Sequence, residues 1–117
     1  MKLRVLLLSL VAAVGLTFAS VALSQTQAKK ASTVSVTAKE FSFTLSAKFV
    51  KAGAVAFKVV NKGKLPHNFS ISGKTTAMLA PGKSATLTVV LGKGSKPYLC
   101  TVPGHAAAGM KGSLKVT

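Results

Sequence analysis

From Ser32 onward, apolar and polar residues alternate with a period of two, in short runs broken by Gly, Pro, Asn and Lys; no stretch repeats with a helical period. Val34 and Val36 share one face, as do Phe41, Phe43 and Leu45, and then Val55, Phe57 and Val59. Later runs place Ala85, Leu87, Val89 and Leu91 together, and finally Leu114 and Val116. Their neighbours are mostly Ser, Thr and Lys, as a half-buried antiparallel strand requires. The pattern predicts an all-β sandwich or barrel, with breaks at 61–66, 73–74, 81–82, 92–96 and 103–112. Strands three to seven are expected at 54–60, 67–72, a short piece near 76–79, 84–91 and 95–100. Four reversals of direction then put the loop after strand three and the loop after strand seven at one pole. His67, Phe69 and Ile71 fall on one strand face, and Tyr98 and Cys100 on another, so His67 and Cys100 point inward at strand ends.

The N-terminal residues change the picture by setting a compartment. Lys2 and Arg4 precede an apolar run from Val5 to Leu23 that ends at small residues and polar Gln25, Thr26 and Gln27, the layout of a secretory signal peptide. Residues 1–24 are expected to be cleaved after Ser24, with Ala28 as second choice. An uncleaved membrane anchor is the competing reading, because the run is nearly long enough to span a bilayer. Residues 25–31 read as a flexible leader and 32–117 as one domain, periplasmic or secreted. An exported chain with a single cysteine forms no internal disulfide, so that thiol calls for another explanation.

Charge adds a partner class. Sixteen Lys and Arg stand against one acid, Glu40, for a formal charge of +15. Such a field draws anionic partners. The lysines are scattered and aromatics are few, which ranks an acidic protein or an anionic membrane surface ahead of nucleic acid. The plainer role of scattered lysines is solubility. With one Glu and no Asp, paired-carboxylate and Ser-His-Asp chemistry are excluded.

The segment from Tyr98 to Gly112 carries the candidate chemistry: Cys100, His105 and Met110 recur every five residues in one loop. Soft sulfur and borderline nitrogen donors grouped this way select a soft transition metal. The chain's other histidine is His67. Two His and one Cys in a trigonal arrangement with a weak axial Met form the ligand set of blue-copper electron-transfer sites. Singly, each residue has an ordinary reading: a hydrogen-bonded core histidine, a small buried thiol, a gap-filling methionine. Jointly, the only Cys, both His and one loop Met fall on two loops expected to be adjacent.

Leu65-Pro66-His67-Asn68-Phe69, followed by the Cys100-His105-Met110 loop, resembles the cupredoxins, the superfamily of plastocyanin and azurin. The resemblance implies a Greek-key β-sandwich of about seven to eight strands holding one copper ion, cycling Cu(I)/Cu(II), on His67, Cys100, His105 and Met110. Pro66-His67-Asn68 is plastocyanin-like and Cys100 to His105 azurin-like, while the His105–Met110 spacing matches plastocyanin. The family pattern implies that the Asn68 side chain ties the two loops together through Thr101. It also implies that the backbone N–H groups of Asn68 and Val102 point at the Cys100 sulfur, with Pro103 unable to donate. Pro66, where azurin has Gly, argues against a carbonyl as fifth ligand.

Four protein ligands leave no open position for substrate, which catalytic copper needs, so the chain is expected to be no enzyme but a single-electron shuttle. Multicopper oxidases and copper nitrite reductase need more histidines than two, and a binuclear copper centre needs two cysteines. A periplasmic copper carrier or store is the alternative, and a metal-free cationic binding module a third reading. Plastocyanins carry Tyr before the ligand Cys, on a remote acidic patch; Leu99 stands there in this chain. The expected docking surface is therefore the His105 edge, ringed by Leu65, Pro66, Ala106, Ala107 and Ala108 and flanked by Lys62, Lys64 and Lys111. It suits transient contact of a monomer with an acidic redox protein such as a cytochrome.

Overall fold

The computed structural model describes residues 30–117, together with the single position Gly15. Apart from Gly15, the expected signal segment, and the leader up to Lys29, lie outside the described residues. Runs of alternating Val, Phe, Thr and Ser extend as strands because their branched and aromatic side chains fit a pleated, half-buried surface. The strands are β1 (Ser32–Lys39), β2 (Ser42–Leu45), β3 (Phe49–Val50), β4 (Gly53–Asn61), β5 (Ser70–Ile71), β6 (Lys74–Thr75), β7 (Ser84–Leu91), β8 (Gly94–Leu99) and β9 (Lys111–Val116). They form two sheets, ordered β2-β1-β4-β7 and β3-β9-β8-β5-β6. The fold is a β-sandwich.

Val34, Val36, Val55, Phe57, Val59, Val89 and Leu91 of the first sheet bury against Ile71, Leu114 and Val116 of the second. Phe69 completes this layer, with its ring centroid 5.2 Å from Phe57, 5.3 Å from Phe43 and 5.5 Å from Tyr98. Aromatic pairs at such separations add to the free energy of area burial. Tyr98 lies opposite Gly112 across β8 and β9, where a Cβ would collide with its ring and hydroxyl.

Four expectations change. Nine strands occur among the described residues, because β3 is a two-residue pairing too short to show a period. The stretch 67–72 is strand only at Ser70–Ile71, and the piece expected near 76–79 lies at Lys74–Thr75. The backbone there is satisfied otherwise: His67 and Leu79 form an isolated bridge, and Phe69 N–H donates to the Thr76 hydroxyl. Strands β1 and β4 pair in parallel, as do β3 and β9, where half-buried antiparallel strands were expected. Phe41 precedes β2 and does not share the inward face of Phe43; it is exposed.

These registers position the site. Ala38 pairs with Asn61 at the end of the parallel β1–β4 ladder, so both strands finish at one pole. Carried one step past its last pair, the β8–β9 register sets Cys100 opposite Met110. Carried two steps on, the β5–β8 register sets Asn68 opposite Thr101.

Phe57→Ala should lose about 3–5 kcal/mol, read as a lower urea midpoint, because no neighbour can refill the centre of the sandwich. Burial raises the Tyr98 hydroxyl above its ordinary value. A raised folded pKa stabilises below the unfolded value and is lost as pH rises through the folded one. Parent stability should therefore fall faster than that of Tyr98→Phe above about pH 10, measured by parallel denaturant titrations.

Candidate metal centre

The second ligand loop begins where β8 ends. Cys100 N–H donates to Met110 O at 3.0 Å, continuing the ladder, so the intervening residues form a closed loop. His105 N–H donates to Val102 O at 3.0 Å, closing a turn with Pro103 and Gly104 in the middle. Gly104 has φ +84°, the left-handed position a type II turn needs after proline. Ala106, Ala107 and Ala108 then continue the turn, with Ala108 N–H donating to Gly104 O at 3.1 Å. Met110 N–H donates to His105 O and Gly109 N–H to Ala106 O, each at 3.0 Å, with Gly109 at φ +126°. That pair of bonds is a Schellman closure, which explains the spacing: its outer bond ties the backbone of Met110 to that of His105. A Cβ on Gly109 would also press on the Phe41 carbonyl at 2.9 Å.

The first ligand loop is held by two residues whose roles the sequence analysis missed. Asn61, wholly buried, donates from Nδ2 to the carbonyls of Leu65 and Leu79 at 2.8 Å each and accepts Gly63 N–H at 2.8 Å. Glu40 Oε1 accepts the N–H groups of Lys64 and Leu65, both at 2.7 Å, and lies 3.1 Å from His67 Nε2. The Leu65 N–H foremost, with the Glu40 N–H, His67 and the Lys64 N–H, outweighs desolvation and draws the Glu40 carboxyl down to about 2. A carboxylate can only accept, so this contact calls for the hydrogen on His67 Nε2, and the neutral tautomer with that hydrogen leaves the Nδ1 lone pair for a metal. The signal for Glu40 was its being the chain's one acid; for Asn61 it was a polar residue closing an apolar strand.

His67 Nδ1 lies 3.1 Å from His105 Nδ1, and Cys100 Sγ lies 3.7 Å from the same atom. All three donor atoms fall within 4.8 Å of one another. Metal–nitrogen distances of about 2.0 Å and metal–sulfur distances of about 2.3 Å place trigonal donors roughly 3.5–3.8 Å apart, so this set fits one ion. Met110 is fully buried and clusters with Cys100 and Ala38, and no carboxylate joins the three donors. Two imidazoles, a thiolate and a nearby thioether suit copper of the blue type.

The remaining expected residues divide by position. Asn68 Nδ2 donates to the Thr101 hydroxyl at 2.6 Å, and Thr101 N–H donates to Asn68 Oδ1 at 2.8 Å, joining the two ligand loops. The expected N–H bonds from Asn68 and Val102 to Sγ are not formed among the described residues; the sulfur's hydrogen-bond neighbour is His105 Nδ1. Val102 instead lends its carbonyl to the turn and its side chain to the Cys100–Met110 cluster. Pro66, Pro103, Ala107 and Ala108 are exposed, as are Leu65, Lys62, Lys64 and Lys111, while Ala106 and His105 are half-buried. Phe41, unforeseen here, meets the His105 ring edge-on at 5.1 Å.

Comparison with known proteins agrees with this reading. Auracyanin-B of Chloroflexus aurantiacus is 51% identical over 43 residues, 36% of this chain but only 18% of that protein. The structure of dithionite-reduced auracyanin from Roseiflexus castenholzii superposes with a TM-score of 0.65 at 22% identity, covering 76% of this chain and 99% of the other. A structure of auracyanin B gives 0.63 at 26% identity, covering 77% and 91%. The family model of the cupredoxin-like domain matches residues 10–114. With a two-sheet sandwich, His-Cys-His donors at one pole and a match along nearly its whole length, the chain belongs to the cupredoxin-like family.

Proposed function

We propose that this protein is an exported blue-copper protein that passes single electrons, holding one copper ion through His67, Cys100 and His105 with Met110 as weak axial ligand. The observation that carries the reading is the convergence of two Nδ1 atoms and one Sγ within 4.8 Å at the pole where both ligand loops meet. Bound copper supplies a Cu(I)/Cu(II) couple. The chain's part is to hold the donors still: Glu40 fixes the His67 ring, the β8–β9 ladder fixes Cys100 against Met110, and the Schellman closure ties Met110 to His105. Donors held this way need little rearrangement when the charge changes, which suits repeated electron transfer. Export rests on the signal-like N-terminal segment and places the protein in the periplasm or outside the cell.

The way out for the electron is the half-buried His105, bordered by exposed Phe41 and the small residues Ala106, Ala107 and Ala108. Lys62, Lys64 and Lys111 supply a positive rim that suits an acidic redox protein such as a cytochrome, or an anionic membrane surface, in transient contact with a monomer.

Adding Cu(II) to the purified protein should produce an intense blue colour and a reversible one-electron wave. A colourless protein that yields Cu(I) to a mild acceptor would mean copper carriage instead. Cys100→Ser should abolish the colour and leave a folded β domain; Met110→Leu should stay blue at a raised potential, because a donor favouring Cu(II) is lost.

Docking has its own test in stopped-flow oxidation by an acidic cytochrome. The rate should fall steeply between 0.01 M and 0.1 M salt, as the Debye length shrinks from about 30 Å to about 10 Å. Lys64→Glu combined with Lys111→Glu should slow it at low salt only, whereas Ala107→Glu should slow it at every salt concentration by blocking contact. If Leu99→Glu slows the high-salt rate and Ala107→Glu does not, the electron leaves beside Cys100.

A further inference from the structure

Glu40 is the one acid in a chain of charge +15, and from an exposed position its carboxylate reaches a candidate ligand. The parallel β1–β4 ladder explains the placement. Ala38 pairs with Asn61, Lys62 N–H donates to Ala38 O at 2.9 Å, and two residues beyond that pair Glu40 comes alongside Gly63. A Cβ at Gly63 would collide with the Glu40 carboxylate, so the close approach depends on glycine there. The side chain is 28% exposed, while its partner His67 is fully buried.

We propose that Glu40 is the positioning residue of the metal centre, accepting the His67 Nε2 hydrogen so that Nδ1 faces Cys100 and His105, and lowering the reduction potential through its negative charge. This rests on the copper reading above. A carboxylate behind a ligating imidazole orients the ring and makes it a stronger donor, and loss of such partners commonly costs about 10–100-fold in metal affinity. Both effects favour the more highly charged Cu(II) over Cu(I). The geometry also couples the site to its loop, since the same oxygen that receives His67 receives Lys64 and Leu65 N–H.

The test is Glu40→Gln in the full protein loaded with Cu(II). The amide oxygen can still accept from the backbone and from His67, so the unfolding midpoint of the copper-free variant should stay near the parent's. Its ratio of Cu(II) to Cu(I) affinity should fall about tenfold, a potential rise of about 59 mV for one electron. Ser95→Lys, which adds the same unit of charge at the start of β8, far along the strand from Cys100, should leave the potential unchanged. Gly63→Ala, which displaces the carboxylate without altering any charge, should raise the potential in the same direction, and it makes the test if the glutamine variant does not fold. A Glu40→Gln shift no larger than that of Ser95→Lys, or an unshifted Gly63→Ala, overturns the proposal while leaving a blue parent protein intact. A parent that never turns blue overturns the copper reading itself.

Discussion

A fully buried imidazole must have both of its ring nitrogens satisfied, and His67 imposes that demand on the whole ligand pole. Its outer nitrogen is met by Glu40, which requires β1 and β4 to end side by side and Gly63 to lack a side chain. Its inner nitrogen is met where Cys100 and His105 converge, which requires β8 to deliver the thiol and the following turn to fold the second imidazole back. A residue in the turn after β1 thus secures a donor that works with donors on the loop between β8 and β9. The sandwich is held together at this pole by polar contacts as well as by the apolar layer beneath.

The layer beneath makes those contacts stiff. Phe57, Phe69, Phe43 and Tyr98 pack ring against ring between the sheets, Phe43 also packs against Cys100 and Met110, and Phe69 is two residues from His67. Interiors packed at crystal-like density resist small displacements, so a ring seated this close to the ligand loop resists its movement. Asn61 adds the polar counterpart: one buried amide bonds the loop at Leu65 and Gly63 and the neighbouring segment at Leu79.

Charge is distributed with the same economy. Lysines are spread over the surface, and the single carboxylate, itself exposed, is engaged by a ligand loop. An acid placed elsewhere would have weakened a uniformly positive field. Placed here, it organises three hydrogen-bond donors and leaves the outer surface cationic.

The sandwich class and the candidates Cys100, His105 and Met110 were legible in the sequence because both are written in local spacing, whereas His67 was singled out as the chain's other histidine. Alternation of apolar residues follows directly from the two-residue period of a strand, and a Cys, a His and a Met at five-residue steps on one loop carry their chemistry in their identities. The strand assigned to 67–72 was misjudged because alternation there reflects burial on a pole and not ladder pairing; His67 and Asn68 are both buried. Glu40, Asn61 and Phe41 were invisible as site residues because each acts across more than one strand. Glu40 stands 27 residues from the imidazole it holds. Their contacts depend on the parallel β1–β4 register and on which strand ends share a pole. No local period encodes those relations; they exist only once the two sheets have closed on one another, so the sequence determined the donors and the tertiary structure decided what holds them in place.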